Sequence, residues 1–159
     1  MTKAFPVLGA VMALAFTAPA HSLGLEVREA RTSERLDCLP LADRAFSLTF
    51  IHSVSQTPVE DVYTLEGEGS ERQLVQTAEH FVTHGQGLPS MADEPGVTRL
   101  EHTDTGFVAH MRRPISKLII RAHPDFDNTL RADGRRIDLT NWPDRALRIE
   151  PVGDCKSNR

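Results

Sequence analysis

From Ala45 the chain reads AFSLTFIHSVSQTPVEDVYTL, and its apolar positions fall on alternate residues. Phe46, Leu48 and Phe50 alternate with Ser47 and Thr49, the period of a strand with one buried face. His52 continues that parity, so the strand carries an imidazole out along its own core side chains, to the edge of an apolar environment where a pKa can move. Pro58 fixes its own φ and biases Thr57 towards an extended conformation, so Val59 begins a second strand and the pair forms a hairpin. A register with Phe50 opposite Val62 and Leu48 opposite Thr64 keeps a largely apolar face on both strands and sets His52 opposite Glu60. As neighbours these two residues have three uses: an imidazole base oriented by a carboxylate, two ligands of a metal, or a polar pair that only satisfies a turn.

The same period recurs along the chain. Leu23, Leu25 and Val27 alternate as a first strand along a sheet edge. After the breaker Gly67-Glu68-Gly69-Ser70, residues Gln73 to Phe81 are extended, with Val75, Thr77 and Phe81 on one parity. Phe107 to Met111 form a strand that Pro114 interrupts, and Lys117 to Ala122 form a short β-rich run. Asn128 to Ala132 and Arg135 to Leu139 flank Asp133-Gly134, whose residues accept the positive φ angles of a type I′ turn. Ala146 to Val152 is the last strand. No stretch after the leader holds a helical stripe for three turns, and ten prolines and ten glycines punctuate the chain at the spacing of short strands. The expected fold is all-β, a single antiparallel sandwich or a partly open barrel.

Residues 1–20 change this picture only at the front. Lys3, the apolar run Ala4 to Phe16 and the small residues Ala18 and Ala20 make a secretory signal peptide, shorter than the roughly 20 apolar residues that span a bilayer. Cleavage after Ala20 would leave one domain over 21–159, periplasmic or secreted, with a retained anchor the less favoured form. The full chain carries a net charge of −4, and the leader removes one more positive charge, so nucleic acid is not an expected partner. The two cysteines, Cys38 and Cys155, favour a disulfide in an exported chain. Neither has a second cysteine or a histidine at ligand spacing, so zinc is disfavoured there, and no cofactor is expected.

A second stretch with chemical content follows Phe81: Thr83-His84-Gly85-Gln86-Gly87-Leu88-Pro89. Gly85 and Gly87 allow the main chain to approach a ligand or to turn its N–H groups onto an anion; they equally suit a tight corner between sheets. No helix follows, which excludes a nucleotide fingerprint. His80 and His84 have the spacing of two ligands on one helix face, but the segment is not helical. His102, His110 and His123 read as surface or satisfied histidines. Ser53 lies on the opposite strand face from His52, a poor geometry for a nucleophile pair, and the chain has neither a Gly-x-Ser-x-Gly elbow nor a His-Glu-x-x-His helix.

Ile-His-Ser-Val, Thr-Pro-Val-Glu-Asp-Val-Tyr and, about 20 residues later, Gly-x-Gly-Leu-Pro together resemble the bacterial family called domain of unknown function 1850, over about Leu39 to Pro151. Its pattern falls on His52, Ser53, Thr57, Pro58, Glu60, Gly85, Gly87, Leu88 and Pro89; the cysteine pair is not part of it. The resemblance implies a small exported or membrane-associated protein, encoded beside tripartite ATP-independent periplasmic (TRAP) transporters of the TAXI type, and implies no activity. The leading expectation is an accessory or binding module for such a transporter, its partner the membrane or solute-binding subunit or a small anionic solute. His52, Ser53, Thr57, Glu60, His84, Gly85, Gly87 and Pro89 are the candidate functional residues. The alternatives are a structural β domain and a small hydrolase or metal-site enzyme using His52 and Glu60.

Overall fold

The structure, a computed structural model, describes residues 23–89 and 94–155. The expected leader lies outside the described residues. Eleven strands run through those that are described: β1 (Leu23–Glu29), β2 (Arg35–Leu41), β3 (Ala45–Ile51), β4 (Pro58–Glu66), β5 (Gln73–Phe81), β6 (Val97–Thr103), β7 (Gly106–Ile115), β8 (Leu118–Arg121), β9 (Thr129–Ala132), β10 (Arg135–Asp138) and β11 (Ala146–Val152). Three single 3-10 turns are the only helical segments among the described residues. The strands form a four-stranded sheet ordered β2-β1-β11-β8 and a seven-stranded sheet ordered β10-β9-β3-β4-β5-β7-β6. All pairings are antiparallel and neither sheet closes, so the fold is a sandwich and not a barrel.

The sheets are unequal, and that inequality positions the site. The main core, with Leu25, Val27, Leu147 and Ile149 against Phe46, Leu48, Leu65 and Leu130, fills the space between the small sheet and one part of the large one. A second apolar cluster, Val59, Phe81, Val97, Ala109 and Met111, lies on the rest of the large sheet's inner face. Its cover comes from the loop after β5, which lays Leu88 onto it. A single-domain sheet with one apolar face must cover all of it, and a loop supplies what the small sheet is too narrow to reach.

Several strands behave differently from their sequence pattern, each for a local reason. β1 is central, between β2 and β11, and not an edge strand. Its second face is covered too: Glu26, 3% exposed, is ion-paired with Arg28 and with Arg35 Nε at 3.3 Å, and Arg35 also donates to the Cys155 carbonyl. β5 has an irregularity between Gln76 and Ala78, so Leu74 and Gln76 share the inner face with Glu79 and Phe81, whereas Val75 and Phe81, though of one parity, do not share a face. β7 continues through Pro114 because β6 pairs no further than Met111; the missing N–H falls on the open side of the strand. β2 and β6, charged and punctuated by proline or histidine, lack the apolar alternation that marks the others. The Asp133-Gly134 hairpin forms as its residues dictate, with φ of 50° and 72°.

Cys38 and Cys155 are joined, with Cα atoms 5.6 Å apart and a separation of 117 positions in sequence. The bridge lies flat across β1 at Gly24, where a Cβ would stand 2.6 Å from the Cys155 Sγ. It ties the end of the chain over the middle strand of the small sheet.

Candidate functional site

The β3–β4 hairpin forms, in a register shifted from the expected one. Ile51 pairs with Pro58, Phe50 with Val59 and Thr49 with Glu60. Pro58 is the first residue of its strand, a position proline tolerates, so the loop is only Ser53 to Gln56. It is closed by His52 N–H to the Thr57 carbonyl and Gln56 N–H to the His52 carbonyl, both 2.9 Å, with Gln56 at φ 55°. The shift reverses the parity of β4. Val59, Asp61, Tyr63 and Leu65 face the core, and Glu60 faces outwards between Thr49 and His80. The expected His52–Glu60 neighbourhood therefore does not form.

His52 meets the glycine loop instead. Gly85 to Leu88 make a tight turn, Leu88 N–H to the Gly85 carbonyl at 3.1 Å, with Gly87 at φ 91°, the conformation a type II turn requires at its third residue. A Cβ on Gly85 would stand 3.7 Å from His52 Cε1 and 3.6 Å from Ser55 Cβ, and one on Gly87 would stand 3.8 Å from His52 Nε2. The other ring nitrogen is held from its own loop: Ser55 N–H donates to His52 Nδ1 at 3.2 Å, and the Ser55 hydroxyl lies 3.1 Å from the same atom and 2.8 Å from the Thr57 hydroxyl. An Nδ1 that accepts from a backbone N–H leaves the ring proton on Nε2, the nitrogen turned towards the glycines. Ser53, by contrast, is exposed and gives only its carbonyl, to Gln56 Nε2 at 2.7 Å. Ser55, which sequence reasoning passed over, is the hydroxyl that orients the imidazole.

Across the large sheet the inner-face residues line up in rows. Phe50, Val59, Phe81, Phe107 and His102 form the row nearest the hairpin loop. His84 lies on Phe107 with ring centroids 4.1 Å apart, and His102 stacks on the same ring at 4.9 Å. His80 and His84 thus serve different places, His80 exposed on β5 and His84 in this aromatic cluster. Among the remaining histidines His110 shares Glu101 with Arg99, and His123 Nδ1 accepts from Asp125 N–H.

The next row holds what the shifted register reveals. Asp61 on β4 lies directly opposite Glu79 on β5, both on the inner face, between Leu48 on one side and Ala109 on the other. Tyr63 Oη donates to Asp61 at 3.1 Å and Gln76 Nε2 at 2.9 Å, and Arg113 donates to Gln76 Oε1 at 3.3 Å. Glu79 is 8% exposed. Burial raises the Asp61 carboxyl to about 6, although Tyr63, Arg113 and Gln76 all favour its charged form. Burial and then the neighbouring Asp61 charge raise Glu79 to about 7, against the opposing charge of Arg113. Burial beside these acids pushes the Tyr63 hydroxyl well above the usual phenol range. Both carboxyls are thus raised towards neutral pH, an arrangement that concentrates at functional sites. Arg113 also holds the segment just before β6, its Nη2 donating to the Pro95 carbonyl at 3.4 Å. Among the described residues no three His, Cys, Asp or Glu side chains are grouped to hold a metal ion.

Residues 46–139 match the family described as Domain of unknown function (DUF1850). The chain belongs to this family. The match in the DUF1850 protein runs from β3 to the turn after β10, so the hairpin, the glycine loop and the carboxyl pair fall inside it. β1, β2, β11 and both cysteines fall outside, narrower limits than the motifs suggested. No curated protein and no solved structure matches the DUF1850 chain.

Proposed function

We propose that this DUF1850 protein is an exported accessory module that binds a subunit of a TAXI-type TRAP transporter through the rim formed by Ser53 to Thr57 and Gly85 to Pro89. The observation that carries this reading is convergence. The Ile-His-Ser-Val, Thr-Pro and Gly-x-Gly-Leu-Pro stretches, separated in sequence, meet at one end of the large sheet with the His52 ring between them. None of them is needed to close the main core, which lies towards the small sheet. The rim also offers apolar contact: Val54 at the tip of the hairpin loop is 61% exposed, and Phe107 sits under two imidazoles nearby. A leader at residues 1–20 and a disulfide suit an oxidising compartment, and no helix among the described residues is long and apolar enough to cross a membrane. Glu60, on the other face, takes no part in this surface.

Affinity capture from the native envelope tests this proposal. Tagged wild-type protein should recover a transporter subunit and His52→Ala should lose most of it, with the variant destabilised by less than about 1 kcal/mol because His52 is only half-buried. Equal recovery with both proteins, or a variant that loses its fold, would return the rim to a purely structural role.

A further inference from the structure

The outer face of the large sheet carries a groove of about 520 Å3, on the opposite side from the rim and the carboxyl pair. Ser47, Glu60 and Val62 line it together with Arg131, Arg135 and Arg136. Its positive end is built in a way that sheet energetics oppose. Arg131 on β9 and Arg136 on β10 are directly opposite each other. The two-residue turn at Asp133-Gly134 makes Ala132 and Arg135 the first, hydrogen-bonded pair, so Arg131 and Arg136 form the next pair, the kind whose side chains come closest. Like charges so placed destabilise a hairpin.

No ion pair among the described residues includes Arg131, Arg135 or Arg136. The acids nearby are otherwise engaged or share the groove: Asp133 accepts from Ala42 N–H at 2.6 Å, Asp138, which feels the Arg136 charge, accepts from Thr140, and Asp43 and Glu60 line the same groove. In a chain with a net charge of −4, two facing arginines with no carboxylate in an ion pair with either call for one from outside. The sheet continues the site: Ser47 is the cross-strand neighbour of Arg131, and Val62 that of Ser47. A hydroxyl donor and an apolar floor thus follow the guanidinium pair along one row.

We propose that this groove binds a small ligand through one carboxylate or phosphate group held between Arg131 and Arg136, with the body of the ligand over Ser47 and Val62. Guanidinium groups present paired N–H donors that match both anions, and the volume is that of a small-molecule site. Glu60 at the far end selects against a second negative charge there and for a hydrogen-bond donor.

Titration of the full chain with acetate and with inorganic phosphate, followed by amide NMR shifts and by melting temperature, tests the inference. Saturable shifts at Ser47, Val62 and Arg131 with either probe are expected, the stronger probe naming the head group. Arg131→Gln and Arg136→Gln should each weaken binding by about tenfold while the ligand-free variant melts no lower than wild type, because the like-charge contact is relieved. Shifts no larger than those from sodium chloride at equal ionic strength, or equal binding by both variants and wild type, would overturn it.

Discussion

Replacing Glu79 by glutamine should raise the melting temperature at pH 8 and leave it nearly unchanged at pH 4. Its carboxyl titrates at about 7 in the folded protein against an ordinary value of 4.5. Below pH 4.5 the group is protonated in both states and contributes nothing to the pH dependence. As pH rises from about 4.5 to about 7 the unfolded chain releases its proton while the folded protein retains it, so stability falls across that window and then levels off. A raised carboxyl pKa therefore has the opposite sign to that of a salt-bridged acid. The full cost is about 3 kcal/mol by the usual conversion. Glutamine, neutral at all these pH values, should recover much of it, roughly 5–10 °C in melting temperature. Asp61→Asn should behave alike over a window ending near its own value of about 6, and the double variant should gain less than the sum, since the Asp61 charge is one of the causes that raise Glu79. Thermal melts from pH 4 to pH 8 measure this. A glutamine variant no more stable than wild type at pH 8 would mean that Glu79 carries a compensating interaction.

Loss of the disulfide is the second large effect. Cys38→Ser with Cys155→Ser should cost about 2–4 kcal/mol, read by denaturant unfolding. The reason is the length of chain closed, 117 positions, together with release of the segment that carries the Arg35 contact to the Cys155 carbonyl over buried Glu26. Gly24→Ala provides an internal check. Its methyl would meet the Cys155 Sγ at 2.6 Å, so it should destabilise the oxidised protein and be nearly silent in the double serine variant. Equal cost in both backgrounds would place the clash elsewhere. Both cysteines lie outside residues 46–139, so the bridge strengthens the part of the sandwich beyond the family match.

The elements whose local chemistry is sufficient were legible in the sequence. Asp133-Gly134 can hardly form anything other than a tight hairpin, and the Phe46, Leu48, Phe50 alternation names its own inner face. Register was not legible, because it depends on where a turn begins, and the alternation on β4 is ambiguous. Taking Pro58 as loop put Glu60 beside His52; with Pro58 as the first strand residue, every side chain on β4 changes face. That single shift hid the carboxyl pair, since Asp61 then read as an outward residue, although Glu79 already shared the parity of Phe81. A shorter hairpin loop, of four residues, was the signal that could have recovered Asp61. The glycine loop was legible as a place of close approach, but its partner was not: that His52 faces it depends on a contact between β3 and the segment after β5, which no local pattern encodes.

The most direct test of the recognition rim is site-specific photo-crosslinking in the native envelope, with the reactive side chain placed at Val54 and, as control, at Ile119 on β8. Both positions are exposed, 61% and 51%, but only Val54 lies on the rim. An adduct containing a TAXI-type TRAP transporter subunit from position 54 and not from 119 is the predicted result. No adduct from position 54, or the same adducts from both positions, would contradict it.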